Sequence, residues 1–259
     1  MDKKQKSSNR WEGKTSWGGV AKWYEKLLSG EGTYQKEVIL PNLLRLMDIG
    51  RGDKVLDLAC GPGFFSKEFI KAGAKVLGID ISSELIGVAR ESAPEGEFQV
   101  SNAESLPFIK NASINKIVIV LALQNIESAD KVLSECARVL KVGGSLHLVM
   151  NHPVFRNPKV TSWGYDDESK IQYRRIDEYL SESKNKIQMH PGDAPDLFTV
   201  SFHRPLQYYF KMFSKLRLAV TKLEEWNSGK VSQPGPRAKA ENKARKEIPL
   251  FLYMGVKKY

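Results

Sequence analysis

The sequence predicts an α/β fold in which a parallel sheet carries helices on both faces. Three observations predict it. Short apolar runs, "KVLDLA" (54–59), "AKVLGID" (74–80) and "INKIVIVLAL" (114–123), read as strands buried on both sides. Stretches with helical spacing, "GFFSKEFIKAG" (63–73), "SSELIGVARESA" (82–93) and "SADKVLSECARVLK" (128–141), alternate with them. Turn residues stand at the junctions, among them Gly61 and Gly63 after the first run and Gly73 after the first of these helices. Alternation of this kind over about 100 residues builds a parallel sheet.

Each element has its own reason. Residues 1–16 are polar and charged, so a flexible basic N-terminus is expected. Between 17 and 49, "WYEKLL" and "EVILPNLLRLMDI" carry helical spacing that Pro41 interrupts. Residues 50–151 hold the alternating core. Ser82 or Ser83 caps its second helix, "GEFQVSNAE" (96–104) is its third strand and "SLHLVMN" (145–151) its fifth. Gly143 and Gly144 end the helix before that strand. Residues 152–203 break the rhythm and read as an insertion with structure of its own. In 204–259 follow a helix (204–216), a strand (217–226), a polar basic connection (228–246) and a last strand (247–258). The last two strands are expected to pair antiparallel at one edge of the sheet. Residues 17–259 thus form a single domain.

Composition narrows the class. The 259 residues are 41% hydrophobic, enough for a sizeable core, and the longest apolar runs fall well short of the roughly 20 residues that span a bilayer. No membrane association and a cytoplasmic setting are expected. Cys60 and Cys136 supply neither a disulfide framework nor a zinc site, and no metal is expected. The net charge of +10 sits at the ends: five basic residues against two acids in 1–14, and eight against two in 229–259. Such ends are a solvated surface or a footprint for nucleic acid.

The stretch "VLDLACGPGFFSKEF" (55–69) points to a ligand. In an open parallel sheet, ligands sit beyond the carboxyl ends of the strands, where this turn lies. Gly61 and Gly63 match the first two glycines of a dinucleotide fingerprint, but Ser66 stands in place of the third. Asp57 at the mouth of the turn repels phosphate and suits an ammonium group. Asp80 ends the second strand, where a carboxylate can accept both hydroxyls of a ribose. Asn102 follows the third strand and can meet an adenine edge, with Ile81 and Leu106 on its faces.

This series, "VLDLACGPGFFSKEF", "VLGIDIS", "SNAESLPF" and "ARVLKVGGSLHLV", resembles the ordered motifs of class I S-adenosylmethionine-dependent methyltransferases across residues 50–150. The resemblance implies a Rossmann-like seven-stranded sheet, six strands parallel and the last antiparallel, with N-terminal helices and an insertion after the fifth strand. It implies S-adenosylmethionine as cofactor. Asp57, Ala59, Gly61 and Gly63 would line its methionine end, Asp80 the ribose, Ile81, Asn102 and Ala103 the adenine, and Leu121 to Asn125 the sulfonium. Ala59 departs from the family's longest glycine pattern.

The acceptor leaves fewer traces. Methyl transfer is an in-line displacement, and an acceptor with a weakly acidic proton needs a general base. "ALQNIES" (122–128) lacks the Asn-Pro-Pro-aromatic signature of amino methylation. His152 in "NHPVF" is the first candidate base and His203 in "FHRPLQYYF", taken to begin a helix, the second. "HP" and "FHR" resemble the "HP" and "YHR" signatures of some small-molecule methyltransferases, with Phe202 in place of the tyrosine and so one hydroxyl fewer. Tyr24, Trp163 and Arg204 are candidates for binding a small-molecule acceptor, and Arg174 and Arg175 could pair with an acidic one or with "DDE" (166–168). The alternatives are an RNA- or protein-directed enzyme gripping its substrate with the basic ends, a non-catalytic module that binds the cofactor, and a nicotinamide-dependent oxidoreductase.

Overall fold

A computed structural model describes residues 25, 26, 28, 30–190 and 194–259. A π-helical turn, Gln35–Ile39, runs into α1 (Leu40–Met47). Pro41 stands in the first turn of α1, where the helical run changes from π to α spacing. The core follows as β1 (Lys54–Leu58), α2 (Phe64–Lys71), β2 (Lys75–Asp80), α3 (Ser83–Ser92), β3 (Glu97–Val100), β4 (Ile114–Val120), α4 (Ala129–Val139) and β5 (Leu140–Asn151). Two hairpins come next, β6 (Thr161–Asp166) with β7 (Ile171–Ile176) and β8 (Ser183–His190) with β9 (Ala194–His203). The chain continues as α5 (Leu206–Lys215), β10 (Leu218–Trp226), α6 (Ala238–Glu247) and β11 (Phe251–Lys258).

The main sheet has seven strands in the order β10-β11-β5-β4-β1-β2-β3. Six run parallel, and β11 lies antiparallel between β5 and β10. The expected antiparallel pair therefore forms, with β10 at the edge. The order reverses between β1 and β4, which makes their carboxyl ends the switch point where ligands collect.

Strand alternation splits the core. Leu56 and Leu58 face α4 and α5 through Val132, Leu133, Tyr209 and Phe213. Val55, Val118 and Val149 face α1 and α2 through Leu43, Met47, Phe65 and Phe69. A third cluster packs Ile86 and Ala89 of α3 on Phe98. Ser82 caps α3, its hydroxyl accepting the Leu85 N–H at 3.2 Å. Gly63 has a φ of +81°, and a Cβ there would stand 3.1 Å from that of Ala89, so α2 and α3 meet only because this residue is glycine.

The structure corrects three boundaries. Leu140 starts β5 directly after α4, ahead of Gly143 and Gly144. Residues 238–247 of the expected polar connection are helix α6; "AKAENKARKE" consists of strong helix formers but buries only Ala244, so it lacks the apolar stripe that marks a helix. His203 ends β9 and does not begin α5. The expected basic segment 1–16 lies outside the described residues. Cys60 and Cys136 are both free and buried.

Candidate active site

The carboxyl ends of β1 to β4 open on a hollow of about 420 Å³, within the usual size of small-molecule sites. Ala59 and Gly61 from the turn after β1 form its floor, and Asp80 and Ile81 from β2 one side. Asn102 and Ala103 follow β3, and Leu121 and Asn125 follow β4. Eight of the ten residues expected at a cofactor thus meet in one place. The far wall comes from the insertion, through Lys184 of β8 and Thr199, Val200 and Phe202 of β9. No motif marks these four; they reach the hollow because the hairpin packs against the turn at Leu123–Asn125.

Asp80 is the electrostatic centre. It is 7% exposed, and each of its oxygens accepts a backbone N–H at 2.9 Å, from Gly61 and from Ser82. Burial raises its pKa, against the pull of these backbone donors. The two bonds fix the carboxylate and leave lone pairs for vicinal hydroxyls in the hollow. Ile81 and Leu85 add apolar surface beside it. Asn102 spends its side-chain oxygen on the Glu104 N–H at 2.9 Å, so its amide N–H groups are what it offers a base edge. Leu106, expected on a face of that base, is wholly buried in the core, and Leu85 lines the hollow instead.

Asp57 and Gly63 are the two expected cofactor residues that do not line the hollow. Asp57 shares its strand face with Val55 and points at α2, where the Ser66 hydroxyl donates to it at 2.6 Å. It is fully buried, and desolvation, opposed by that hydrogen bond, pushes its pKa up to about 7. Asp57 is thus buried away from the mouth of the turn, and Ser66 is its partner, not a vacancy in a glycine pattern. Ala59 has a φ of +57° and Leu121 of +53°, conformations that side chains resist, and both lie on the hollow.

Neither candidate histidine lines the hollow. The His152 ring is buried, with Nε2 2.7 Å from Glu225 Oε1 and Nδ1 accepting the Val154 N–H at 3.3 Å. Both nitrogens are engaged, and burial lowers the pKa although Glu225 acts to raise it. His203 Nε2 donates to the Tyr179 carbonyl at 2.8 Å. His147 bridges Ser145 and Tyr253 inside the sheet, and burial takes its pKa down to about 3. Trp163 lies on the β6–β7 hairpin under Arg174, away from the hollow. Arg174 bonds the Phe155 carbonyl and Thr161, and Arg175 pairs with Asp177 at 2.8 Å, so neither waits for an acidic partner as expected. Tyr24 lies outside the described residues.

Residues 56–148 match a family model described as "Methyltransferase domain". The chain is similar to a demethylmenaquinone methyltransferase of Paenarthrobacter aurescens, 38% identical over 109 residues, 42% of this chain and 43% of that protein. It is also similar to a ubiquinone biosynthesis O-methyltransferase of Xanthomonas oryzae, 34% identical over 101 residues, 38% and 42% of the two chains. The chain thus spans less than half the length of these relatives. A crystal structure of an S-adenosylmethionine-dependent methyltransferase from Mesorhizobium loti superposes with a TM-score of 0.69, covering 89% of this chain and 100% of that one at 23% identity. Residues 56–148 are thus similar to a methyltransferase domain, and the fold around them is that of the Mesorhizobium structure. The residues present would suit S-adenosylmethionine, named for the Mesorhizobium structure: the Asp80 carboxylate, held by two backbone N–H groups, lines the hollow with Gly61, Ile81 and Leu85. No helix among the described residues is long and apolar enough to cross a membrane.

Proposed function

We propose that the protein transfers a methyl group from S-adenosylmethionine to a small-molecule acceptor enclosed by the insertion. The observation that carries this reading is the β8–β9 wall. It turns an open sheet edge into a pocket, with Val120, Leu121, Ala122, Val200 and Phe202 presenting apolar surface around the place of transfer. The relatives' names, which concern quinone-type metabolites, support an acceptor of low molecular mass.

When bound, the cofactor supplies a methyl group on a positively charged sulfur. Asp80 would accept its ribose hydroxyls, Ile81 and Leu85 would hold its flat base, and the turn from Ala59 to Gly61 would admit its amino acid portion. Leu121 to Asn125 would border its sulfur. The apolar wall excludes water, so that the acceptor and not solvent is the nucleophile. His152 and His203 are not assigned as bases, because their ring nitrogens serve Glu225, the Val154 N–H and the Tyr179 carbonyl.

Incubation with methyl-labelled cofactor, a metabolite extract and an RNA fraction tests the reading. Label is expected in the low-molecular-mass pool. Label in RNA, or in the protein fraction alone, overturns it.

A further inference from the structure

Behind Phe202, on the side away from the cofactor hollow, lies a second cavity of about 30 Å³. Phe202 lines both spaces, and Gln124 of the second is the chain neighbour of Asn125 of the first. Four buried side-chain polar atoms among the described residues have no hydrogen-bond partner: Gln124 Oε1, Asn157 Nδ2, Asn157 Oδ1 and Arg204 Nη1. All four belong to residues that line this cavity. Leaving such groups unpaired costs about 1–3 kcal/mol each, so their convergence calls for an explanation.

Their chemistry specifies a ligand. Arg204 is 5% exposed; its Nη2 is spent on the Ile126 and Glu127 carbonyls at 3.0 and 2.7 Å, and its plane packs on Phe202 and Tyr208. No carboxylate among the described residues pairs with it. The charge is therefore held rigidly beside the Tyr209 hydroxyl, with no counter-ion among the described residues, and its Nη1 lacks a hydrogen-bond partner. Arg156 lines the same cavity and also has no acidic partner among the described residues. Asn157, 3% exposed, adds an amide that can turn either end inward. Tyr209 also lines it, and burial, partly offset by Arg204, pushes its phenol up to about 12, so it remains a donor. A buried cation, the exposed Arg156, an amide and a phenol border the space, and Gln124 Oε1, whose amide nitrogen donates to the Leu121 carbonyl, is its fixed acceptor; the set suits a small oxyanion accompanied by one water that donates to Gln124.

We propose that this cavity anchors a carboxylate group of the acceptor, so that the enzyme methylates an acidic small molecule whose remainder passes Phe202 into the transfer site. This rests on the reading of the cofactor hollow as a methyltransferase site and deepens it. It also gives Arg204, an expected acceptor residue, a partner at a place the turn motifs do not mark.

The test uses formate as probe, titrated by carbon-13 NMR into the full-length protein, with the cofactor affinity measured separately by calorimetry. The variants are Asn157→Leu and Arg204→Lys. Asn157→Leu keeps the side-chain volume and breaks no side-chain hydrogen bond. Saturable formate binding is expected in the wild type. At least tenfold weaker binding is expected in Asn157→Leu, together with an unchanged or higher melting temperature, since an unpaired amide has been removed. If Arg204→Lys fails to fold, Asn157→Leu alone decides. Absent formate binding, or binding that Asn157→Leu leaves intact, overturns the proposal. So does a lower melting temperature for that variant, which marks a structural water site. Cofactor binding without formate binding removes the anchor and leaves the methyltransferase reading standing. Formate binding without cofactor binding removes the acceptor role together with that reading.

Discussion

Asp80 and Asp57 differ in role, although both are buried carboxylates near the carboxyl ends of the neighbouring strands β2 and β1. Asp80 is fixed by two main-chain N–H groups and faces the hollow; Asp57 is fixed by one hydroxyl and faces a helix. Replacing Asp80 by Ala removes charge-assisted hydrogen bonds worth about 1.5–3 kcal/mol. Calorimetry is expected to find cofactor affinity at least tenfold lower. Asp57 behaves differently. Its folded pKa of about 7 stands above the ordinary 3.8, so the folded protein holds a proton that the unfolded chain releases. The associated stability is fully present below pH 3.8 and is lost as pH rises through 7. Without cofactor, the melting temperature is expected to rise as pH falls from about 8 to about 5, and Asp57→Asn is expected to flatten that slope. A slope unchanged in the variant assigns the effect to another group.

At the scale of elements, His152 belongs to architecture. Its ring ties the end of β5 to Glu225 of β10 across β11. His152→Ala is expected to cost about 1–3 kcal/mol of stability, read by urea unfolding, with cofactor affinity retained; a loss of turnover alone, with stability intact, would restore it as a base. The sequence made the parallel core legible because doubly buried strands and capped helices leave compositional marks. It did not disclose the wall of the pocket. Thr199, Val200 and Phe202 belong to a hairpin whose pattern resembles any half-buried ribbon, and only packing against Leu123–Asn125 gives them a site. The position of Asp57 was equally hidden, because strand alternation sends it to the α2 face while proximity in sequence suggests the ligand. Helix α6 was missed for a third reason: intrinsic propensity, without a stripe, is invisible to periodicity.

For the whole molecule, the charge at the C-terminal end is partly committed. Lys258 donates to the Ala137 and Leu140 carbonyls, Lys230 lies over the Tyr34 ring and Arg237 over Tyr165. These residues brace the sheet and the β6–β7 hairpin, which weakens the case for a nucleic-acid footprint there. A cofactor that binds only the folded state stabilises it by about 2.7 kcal/mol at a hundredfold excess over Kd, an expected rise of roughly 5–10 °C in melting temperature. A nicotinamide dinucleotide is expected to give no shift, and a rise with it instead would reassign the pocket.

The slot that β11 fills has a consequence for how the protein is made. Synthesis runs from the N-terminal end, and β10 has no neighbour in the sheet except a strand that emerges after it. Until those later residues leave the ribosome, β5 presents a bare hydrogen-bonding edge and β10 has nowhere to dock. Chaperone protection is therefore expected to count most in the interval before β11 emerges.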